Sequence, residues 1–571
     1  MSGTVPRLES MSRLLVPVTA VAVLVSGCSD GKPGSPAPSA TAQDSAVKPG
    51  GDPAKQAADL VAKLSDEELI GQLLMPYAYG NNADKVSSGS VSANKAYAGA
   101  ATPAEIVKKY HLGGIILVSS SADDPTAGTN KTTNVESPAQ VAKLTAGLQS
   151  AALSLPAKVP LLIGTDQEYG QVTRIREGMV QLPSALALGA GGDPALTEAA
   201  WKAAGTELAA IGINLDFAPD ADVLGTQPGG VIGSRSFGSD PKLVAAQVSA
   251  AVKGLQAAGV AATVKHFPGH GHTTVDSHSS LPVLGQSAGA LESGDLPPFV
   301  AAAQADVGLV MSGHLDVKSV DPGVPASFSS KVLIDLLRTK LGYTGVVVTD
   351  ALNMEPAEQW GPGEAAVRAV LAGNDILLMP PKLTEAYKGL LDAVRSGRIT
   401  KQRLTEAATR ILTLKFRLAA VPRPEASVVD GDAGKAAARA SAAAAVTVLR
   451  GPCTGALVTG PVRVTSAGSE TARGWLEAAL TAAGATVVKQ GGSEVRLLGY
   501  GKGTSDLSSS AAVTVAVDTP YVLRSAKGTL VATYSSTQAS MLALADVLVG
   551  KAKAPGRSPV PVQGLPASAC S

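Results

Sequence analysis

Residues 346–350 read Val-Val-Val-Thr-Asp, an apolar run that ends in a carboxylate. Similar apolar runs lie on either side of it, at 114–118, 161–166, 215–219, 262–266, 307–311 and 376–380. Ala- and Leu-rich helical stretches separate the runs, for example at 195–211, 241–258, 329–340 and 383–396. Continuous apolar strands that alternate with helices predict a parallel sheet covered on both faces.

The number of strands decides which parallel fold is expected. A further strand is predicted near Gln72–Met75, after a helix that begins at the capping sequence Ser65 to Glu68. Eight strand–helix units between residues 55 and 420 predict an α/β fold, a (β/α)8 barrel of the TIM type. A doubly wound open sheet is the alternative fold.

Several predicted strands end in a reactive residue, namely Asp166, Lys265-His266, His314 and Asp350. The carboxyl ends of barrel strands converge on one mouth, where such enzymes hold their catalytic groups. Charges buried elsewhere would be costly, so we expect these side chains to face a common cavity.

The composition excludes several classes of protein. The chain has 571 residues, of which 45% are hydrophobic and 17% charged, which predicts folded domains rather than a disordered chain. The 48 Lys and Arg balance the 47 Asp and Glu, and only 3% of residues are aromatic. We therefore expect no nucleic-acid partner. Apolar runs long enough to span a membrane are absent outside the N-terminus, so the sequence does not predict a polytopic membrane protein.

The N-terminus has the pattern of an export signal. Arg7 and Arg13 precede the short apolar stretch from Leu14 to Val25. Small residues before Cys28 resemble a bacterial lipobox, which implies cleavage after residues 1–27, lipidation of Cys28 and anchoring at the outer face of the cytoplasmic membrane. The alternative is an ordinary signal peptide with an incidental cysteine.

The remaining segments divide the chain further. Residues 29–54 are rich in Ser, Pro, Gly and Ala and are predicted to form a disordered tether. Residues 421–432 are predicted as a linker, and residues 433–571 as a smaller, sandwich-like α/β domain. Export to an oxidising compartment predicts a disulfide between Cys453 and Cys570, the alternative being two unpaired buried thiols.

Four of the six histidines lie in one segment, KHFPGHGHTTVDSH at 265–278. A metal site is one interpretation, although the spacing is not a standard zinc pattern and the neighbouring lysine would repel a cation. A set of unrelated surface histidines is a second. The third is an acid/base loop in which Asp276 fixes the tautomer of His278, so that the imidazole transfers protons near neutral pH. Gly269 and Gly271 are predicted to adopt positive φ and so to form the loop.

This segment resembles the signature of the β-N-acetylglucosaminidase branch of family 3 glycoside hydrolases. The resemblance runs in the expected order from about residue 55 to 415. Besides Lys265 to Gly271 and Asp276-Ser277-His278, it rests on Leu112-Gly113-Gly114, Asp166-Gln167-Glu168, Arg174, Arg235-Ser236-Phe237, Phe299, His314 and Val348 to Met354.

The resemblance implies a role for each matching residue. Asp350 matches the catalytic nucleophile, His278 the general acid/base and Asp276 the partner of His278. The residues that match those binding the sugar hydroxyls and acetamido group are Asp166, Arg174, Arg235, Lys265 and His266. Neither a metal nor another cofactor is expected.

Three positions depart from the family pattern. Tyr169, Gln171 and His272 stand where Gly, Arg and Asp are usual. These departures bear on the details of the sugar subsites and leave the expected reaction unchanged.

The expected function is that of an exo-acting, retaining β-N-acetylglucosaminidase. It would act as a monomer on cell-wall muropeptides or chitin-type oligosaccharides, and would meet the membrane only through its lipid anchor. One alternative is a β-glucosidase of the same family, whose acid is a glutamate of the second domain. Here that domain offers Glu470, Glu477 and Glu494, none in a recognisable motif. Phosphorolysis is also open, because a neutral base repels an anion less than a carboxylate does. A non-catalytic sugar-binding lipoprotein is the alternative from a different class.

Overall fold

The computed structural model describes residues 51–118, 134–225, 230–278 and 280–570. The predicted signal sequence, Cys28 and most of the predicted tether lie outside the described residues. Within these ranges, we find no helix with the length and apolar character that a membrane crossing requires.

The strands and helices are numbered in chain order. The strands are β1 (Leu74–Met75), β2 (Gly114–Ile116), β3 (Leu162–Thr165), β4 (Gln167–Tyr169), β5 (Val172–Thr173), β6 (Leu215–Asp216), β7 (Ala261–Phe267), β8 (Val283–Leu284), β9 (Leu309–Ser312), β10 (Asp316–Val317), β11 (Val346–Thr349), β12 (Leu377–Leu378), β13 (Thr447–Arg450), β14 (Val462–Ala467), β15 (Ser493–Leu498), β16 (Ala511–Ala516) and β17 (Thr529–Ala532). The helices are α1 (Pro53–Val61), α2 (Asp66–Gln72), α3 (Ser88–Ala98), α4 (Pro103–Tyr110), α5 (Pro138–Leu153), α6 (Ala185–Gly191), α7 (Pro194–Ala210), α8 (Pro241–Ala257), α9 (Ala288–Gly294), α10 (Pro297–Gln304), α11 (Glu355–Glu358), α12 (Pro362–Ala372), α13 (Leu383–Arg395), α14 (Lys401–Ala419), α15 (Asp432–Ala445), α16 (Glu470–Ala482) and α17 (Gln538–Leu548).

The predicted barrel is confirmed. Strands β2, β3, β6, β7, β9 and β11 pair in that order, all in parallel, and β1 pairs in parallel with β12. A parallel bridge from Val348 to Ile376 joins β11 to the residue that precedes β12. The N–H of Ile116 donates to the carbonyl of Pro76 at 3.0 Å and closes the ring between β1 and β2. The closed ring excludes the open doubly wound sheet.

Local sequence accounts for the helices that surround the ring. At the start of α2, the Ser65 hydroxyl accepts the N–H of Glu68 and the Glu68 carboxylate accepts the N–H of Ser65, which is the predicted capping box. The helix predicted at 329–340 forms as a π-helix at Lys331–Lys340. In α13, the buried residues Leu383, Ala386, Leu390 and Ala393 recur every three or four positions and form one apolar face, and the helix packs with α2, α3 and α12.

Residues after the barrel form a second sheet of five strands, in the order β13-β17-β16-β15-β14. Its strands are parallel except β13, which is antiparallel to β17. Because side chains alternate along a strand, the sheet has two buried faces. Val513 and Val515 of β16 share a core with α16 and α17, whereas Ala516 packs with Leu186 and Ile232 of the barrel. The helices therefore cover one face, and the barrel packs against the other.

The boundary between the two parts is a packed interface. The predicted linker contains a short 3-10 turn at Ala426–Val428, and α15 begins at Asp432. Helix α15 contacts α6 and α7 of the barrel as well as α17 of the second sheet. The helix that follows the linker therefore ties the two parts together.

Cys453 and Cys570 form a disulfide in the structure, with their Cα atoms 5.1 Å apart and 117 positions between them in the chain. In the chain-entropy model, closing a loop of this length stabilises the folded state by about 4–5 kcal/mol. We expect mass spectrometry of the non-reduced protein to recover the two cysteines in one linked peptide pair, and Cys453→Ser to lower the free energy of unfolding in urea. Two thiols that alkylate without prior reduction would contradict the pairing.

Candidate active site

The carboxyl ends of the barrel strands meet at one pocket. All eight residues assigned to catalysis or sugar binding line it: Asp166, Arg174, Arg235, Lys265, His266, Asp276, His278 and Asp350. Three barrel strands deliver four of them, since Asp166 follows β3, Lys265 and His266 lie on β7, and Asp350 follows β11. The others lie on the connections that follow β3, β6 and β7.

Asp350 lines the pocket, and one of its carboxylate oxygens has no hydrogen-bond partner among the described residues. Its backbone N–H donates to the carbonyl of Ser312 at 2.9 Å, which extends the sheet and sets the direction of the side chain. Its Oδ1 accepts the N–H of Ala351 at 2.8 Å, and Oδ2 is buried with no hydrogen-bond partner among the described residues. Burial alone would raise the pKa of Asp350, but the nearby His266, His314 and His278 outweigh it and lower the pKa. The carboxylate is therefore ionised at neutral pH, as a nucleophile must be.

His314 contacts the backbone next to Asp350. The ring is buried, with Nδ1 at 2.6 Å from the Ser327 hydroxyl and Nε2 at 3.0 Å from the carbonyl of Ala351. Burial lowers the pKa of His314, so a neutral ring donates from Nε2 and accepts at Nδ1. The prediction that His314 faces the cavity is therefore wrong: the ring is fully buried, does not line the pocket, and instead fixes Ala351, the residue after Asp350.

His278 and Asp276 form the predicted pair at the rim of the pocket. Nδ1 of His278 lies 2.7 Å from Oδ1 of Asp276, which also accepts the N–H of His278 at 2.9 Å. The side chains are 42% and 50% exposed, respectively. With Nδ1 held by the carboxylate, Nε2 is the nitrogen left to exchange a proton with a ligand.

Four charged side chains that line the pocket form one ion-pair network. Nζ of Lys265 lies 3.1 Å from Asp166 and 2.6 Å from Glu168. Arg235 forms a bidentate ion pair with Glu168, in which Nε donates to Oε2 at 2.7 Å and Nη2 donates to Oε1 at 2.8 Å. Burial would favour the neutral amine, but the two carboxylates raise the pKa of Lys265 above its usual value. The network therefore stays charged and presents fixed donors and acceptors to sugar hydroxyls.

Asp166 also holds the remaining cation of the pocket. Its Oδ2 lies 3.2 Å from Nη2 of Arg174, which follows the hairpin of β4 and β5. Burial opposes its ionisation, but Lys265 and Arg174 lower the pKa of Asp166 below its usual value. An ionised Asp166 is therefore available to accept hydrogen bonds from a ligand.

His266 is held by a carboxylate that the sequence analysis did not identify. Oδ2 of Asp222 lies 2.8 Å from Nδ1 of His266, and Oδ1 accepts the N–H groups of His266 and His270. Burial lowers the pKa of His266 to about 4, so the ring is neutral at pH 7. Its Nε2 is then the ring nitrogen left for the ligand.

The four clustered histidines do not converge on a metal. His266 pairs with Asp222, His272 with Asp295 and His278 with Asp276. The described residues bring possible ligand atoms together once, at Asp220, Asp222 and His266. This group does not suit a cation, because Asp222 is already engaged by Nδ1 and two N–H groups, and the Arg235 guanidinium lies 3.5 Å from Asp220.

The two glycines of the loop have different roles, which corrects one prediction. Gly269 has φ of +130°, as predicted, whereas Gly271 is not among the residues with positive φ. A Cβ on Gly271 would lie 2.0 Å from the carbonyl oxygen of Val223. Gly271 is therefore required by close backbone approach rather than by its φ.

His270 stabilises the same loop from within. It is buried, and its two ring nitrogens contact the hydroxyls of Thr273 and Ser277, the latter at 3.2 Å. Burial lowers the pKa of His270 to about 3, so this ring is neutral at pH 7. Because Ser277 lies between Asp276 and His278, His270 is tied to the segment that carries this pair.

Two of the three departures from the family pattern have local explanations. Tyr169 has φ of +67°, a conformation that suits glycine, and its ring is buried edge-on to Trp201 at 5.7 Å. The strain of about 1–3 kcal/mol is offset by burial of the ring. Nδ1 of His272 lies 2.8 Å from the buried Asp295, and this hydrogen bond raises the pKa of His272. An aspartate at position 272 would instead face a second carboxylate.

Comparison with known proteins decides the family. Residues 66–414, more than half of the chain, match the glycosyl hydrolase family 3 N terminal domain. The chain belongs to glycosyl hydrolase family 3. The barrel and the pocket described above lie within this family 3 domain.

Relatives and solved structures of family 3 extend the comparison. The chain is 34% identical over 396 residues to the beta-hexosaminidase A of Pseudoalteromonas piscicida, covering 64% of this chain and 63% of that protein's length. It is 36% identical over 273 residues to a beta-hexosaminidase of Pseudomonas aeruginosa, covering 47% of this chain and 75% of the relative. A solved family 3 beta-N-acetylglucosaminidase from Paenibacillus superposes with a TM-score of 0.75 at 33% identity, over 87% of this chain and 99% of that one. The structural match thus extends beyond the family 3 domain into the second sheet.

Sequence reasoning missed several residues around the family 3 pocket. Glu168 lies within a recognised motif but received no role, and Asp222 was not selected. The other residues come from the second sheet: Asp518 contacts Gln171, and Tyr500 is 52% exposed. Burial raises the pKa of Tyr500, and Asp518 and Asp276 raise it further. Glu168 carried a usable signal in its motif, whereas the second-sheet residues lie in segments without a motif.

Proposed function

We propose that this family 3 protein removes terminal β-linked N-acetylglucosamine from glycans with retention of configuration. Asp350 attacks the anomeric carbon, and His278 protonates the leaving oxygen and then activates water. Asp166, Arg174, Arg235, Lys265 and His266 hold the sugar. The relatives that are named beta-hexosaminidases, and the Paenibacillus beta-N-acetylglucosaminidase, support this substrate class.

The observation that carries the proposal is the shared pocket of Asp350 and the Asp276–His278 pair. One side supplies an ionised carboxylate with a free oxygen, and the other supplies an imidazole oriented through Nδ1. Retaining cleavage requires a nucleophile and an acid/base in these two roles.

The contacts of the second-domain glutamates favour this acid over that of a β-glucosidase. Glu470 and Glu477 pair with Arg473 on α16. Glu494 is buried among Thr465, Ser508 and Ser510, which all donate to it. Each of these carboxylates is committed to a contact within the second domain.

A panel of aryl β-glycosides tests the proposal. We expect the glycoside of N-acetylglucosamine to be cleaved far faster than that of glucose, with the β-anomer as the first product by NMR. Faster cleavage of the glucoside would identify a β-glucosidase. Binding of N-acetylglucosamine without cleavage of either glycoside would identify a sugar-binding protein.

Water is the proposed second substrate, and inorganic phosphate is the competitor. We expect free N-acetylglucosamine as the product even with phosphate present. Formation of the sugar 1-phosphate in its place would show that the enzyme is a phosphorylase.

We also propose that a lipid on Cys28 anchors the enzyme at the outer face of the cytoplasmic membrane, where wall muropeptides or chitin fragments are the substrates. Cys28→Ser is expected to move the exported protein from the membrane fraction to the soluble fraction, with kcat/KM unchanged. The predicted tether separates the anchor from the catalytic domain, so the pocket does not sense the anchor. Fractionation followed by immunoblotting measures the distribution. A variant that stays in the membrane fraction would contradict lipidation of Cys28.

A further inference from the structure

A side chain of the second sheet reaches the hairpin and turn that border the pocket. Gln171 lies in the turn between β4 and β5, and its Nε2 donates to two oxygens, each at 3.0 Å. One oxygen is the hydroxyl of Ser234, in the short 3-10 turn at Gly233–Arg235. The other is Oδ1 of Asp518, just beyond the carboxyl end of β16. Gln171 therefore bridges the barrel and the second sheet.

Both barrel segments of this bridge carry pocket residues. Ser234 is buried and immediately precedes Arg235. Gln171 lies three positions after Glu168, and Arg235 donates two hydrogen bonds to the Glu168 carboxylate, at 2.7 and 2.8 Å. A shift of the bridge would therefore move both ends of the Arg235–Glu168 pair.

Apolar contacts around the bridge also join the barrel to the second sheet. Ile232 lines the pocket and belongs to a buried cluster with Leu224 of the barrel. The same cluster contains Ala516 and Leu523 of the second sheet, on either side of Asp518 in the chain. The segment that holds Arg235 therefore rests on the second sheet rather than on the barrel alone.

Asp518 completes its own hydrogen bonding at this interface. The Ser234 hydroxyl and the N–H of Thr519 stabilise its carboxylate together with Gln171, whereas burial raises its pKa. A carboxylate held between two barrel segments fixes their relative position more firmly than apolar packing alone, because each hydrogen bond has a required direction.

We propose that Asp518 is a positioning residue, which acts through Gln171 and Ser234 to hold Arg235 in the orientation that binds the sugar. The proposal rests on the proposed function, in which Arg235 contacts the substrate. It gives the second domain a role in substrate affinity, without placing any of its side chains on the reacting atoms.

Steady-state kinetics of Asp518→Ala, Gln171→Ala and the double variant test the proposal. Each single variant is expected to raise KM about 10-fold with kcat changed less than about twofold, since a contact made equally in the ground state and the transition state is loosened. The double variant is expected to match the single ones, because both break one bridge. The matched control is Asp546→Asn, an exposed aspartate on α17 of the same domain, which is expected to keep the wild-type KM.

A rescue variant separates positioning from general stability. Gln171→Arg retains donors for both Ser234 and Asp518, so its KM is expected to stay within about twofold of wild type. Placed in the Asp518→Ala background, the same arginine is expected to leave KM raised. Thermal unfolding of every variant shows whether a loss of fold contributes. If Asp518→Ala does not fold, Gln171→Ala and Asp518→Asn measure the same bridge.

Several results would overturn the proposal: an unchanged KM in Gln171→Ala, additive effects in the double variant, or a fall in kcat at constant KM. All variants are compared on whichever aryl β-glycoside the wild type cleaves. A wrong assignment of the sugar would therefore appear in the wild-type panel, and a wrong role for Asp518 only in the variants.

Discussion

Asp350→Ala is expected to lower kcat/KM by about 10⁴-fold or more on every substrate, whatever its leaving group. The structure shows one carboxylate at this point of the pocket with a buried oxygen that lacks a hydrogen-bond partner among the described residues. Without that oxygen no glycosyl-enzyme forms, so a better leaving group cannot restore the rate. Initial rates on aryl glycosides with leaving groups of different acidity measure the effect.

Azide rescue provides the control for Asp350→Ala. The substitution leaves space for a small anion where the carboxylate stood, and His278 remains to protonate the leaving oxygen. Azide is expected to restore some cleavage and to give the α-glycosyl azide, because it attacks the face from which Asp350 attacks. Ordinary turnover in a folded Asp350→Ala protein without azide would show that the nucleophile is another group.

His278→Ala is expected to discriminate between leaving groups. Loss of the acid should slow cleavage of poor leaving groups by about 10²–10⁴-fold. A dinitrophenolate departs without protonation, so its release in the first turnover should be nearly spared. The covalent intermediate should then accumulate, because the same imidazole activates water in the second step. A burst of dinitrophenol followed by slow turnover is the expected signal.

External azide and Asp276→Asn test the same assignment. Azide needs no base, so it should speed turnover of His278→Ala and give a β-glycosyl azide. Asp276→Asn should show a milder form of the defect, since Asp276 acts through its 2.7 Å contact with Nδ1. Equal losses on dinitrophenyl and poor leaving groups in His278→Ala would mean that the histidine positions the sugar and that the acid lies elsewhere.

The barrel was predictable from the sequence because its signals are local. Each strand is a short apolar run between helical stretches, and the box at Ser65 and Glu68 marks a helix start within four residues. The convergence of Asp166, Lys265, His266 and Asp350 follows from their common position at strand ends. In a regular barrel, the position of these four residues at the ends of strands was therefore enough to predict that they lie at the pocket, without knowledge of any tertiary contact.

Residues that orient or constrain other residues of the site could be identified only from the tertiary structure. Asp222 was overlooked because nothing near it in the chain shows that it meets His266, which lies 44 positions later. Gly271 was assigned a positive φ, but its constraint comes from the carbonyl of Val223 in another loop. In both cases the deciding neighbour is distant in sequence.

The sequence by itself determined the fold class and eight of the charged and polar residues that line the pocket, because hydrophobic periodicity, strand-end position and a local motif are properties of the chain. Only the tertiary structure decided how residues in and around the pocket are held: Asp222 contacts His266, Asp295 contacts His272, and Asp518 contacts Gln171 across 347 positions. Hydrogen bonds of this kind depend on distance and direction between side chains that packing brings together, and no local pattern records either quantity.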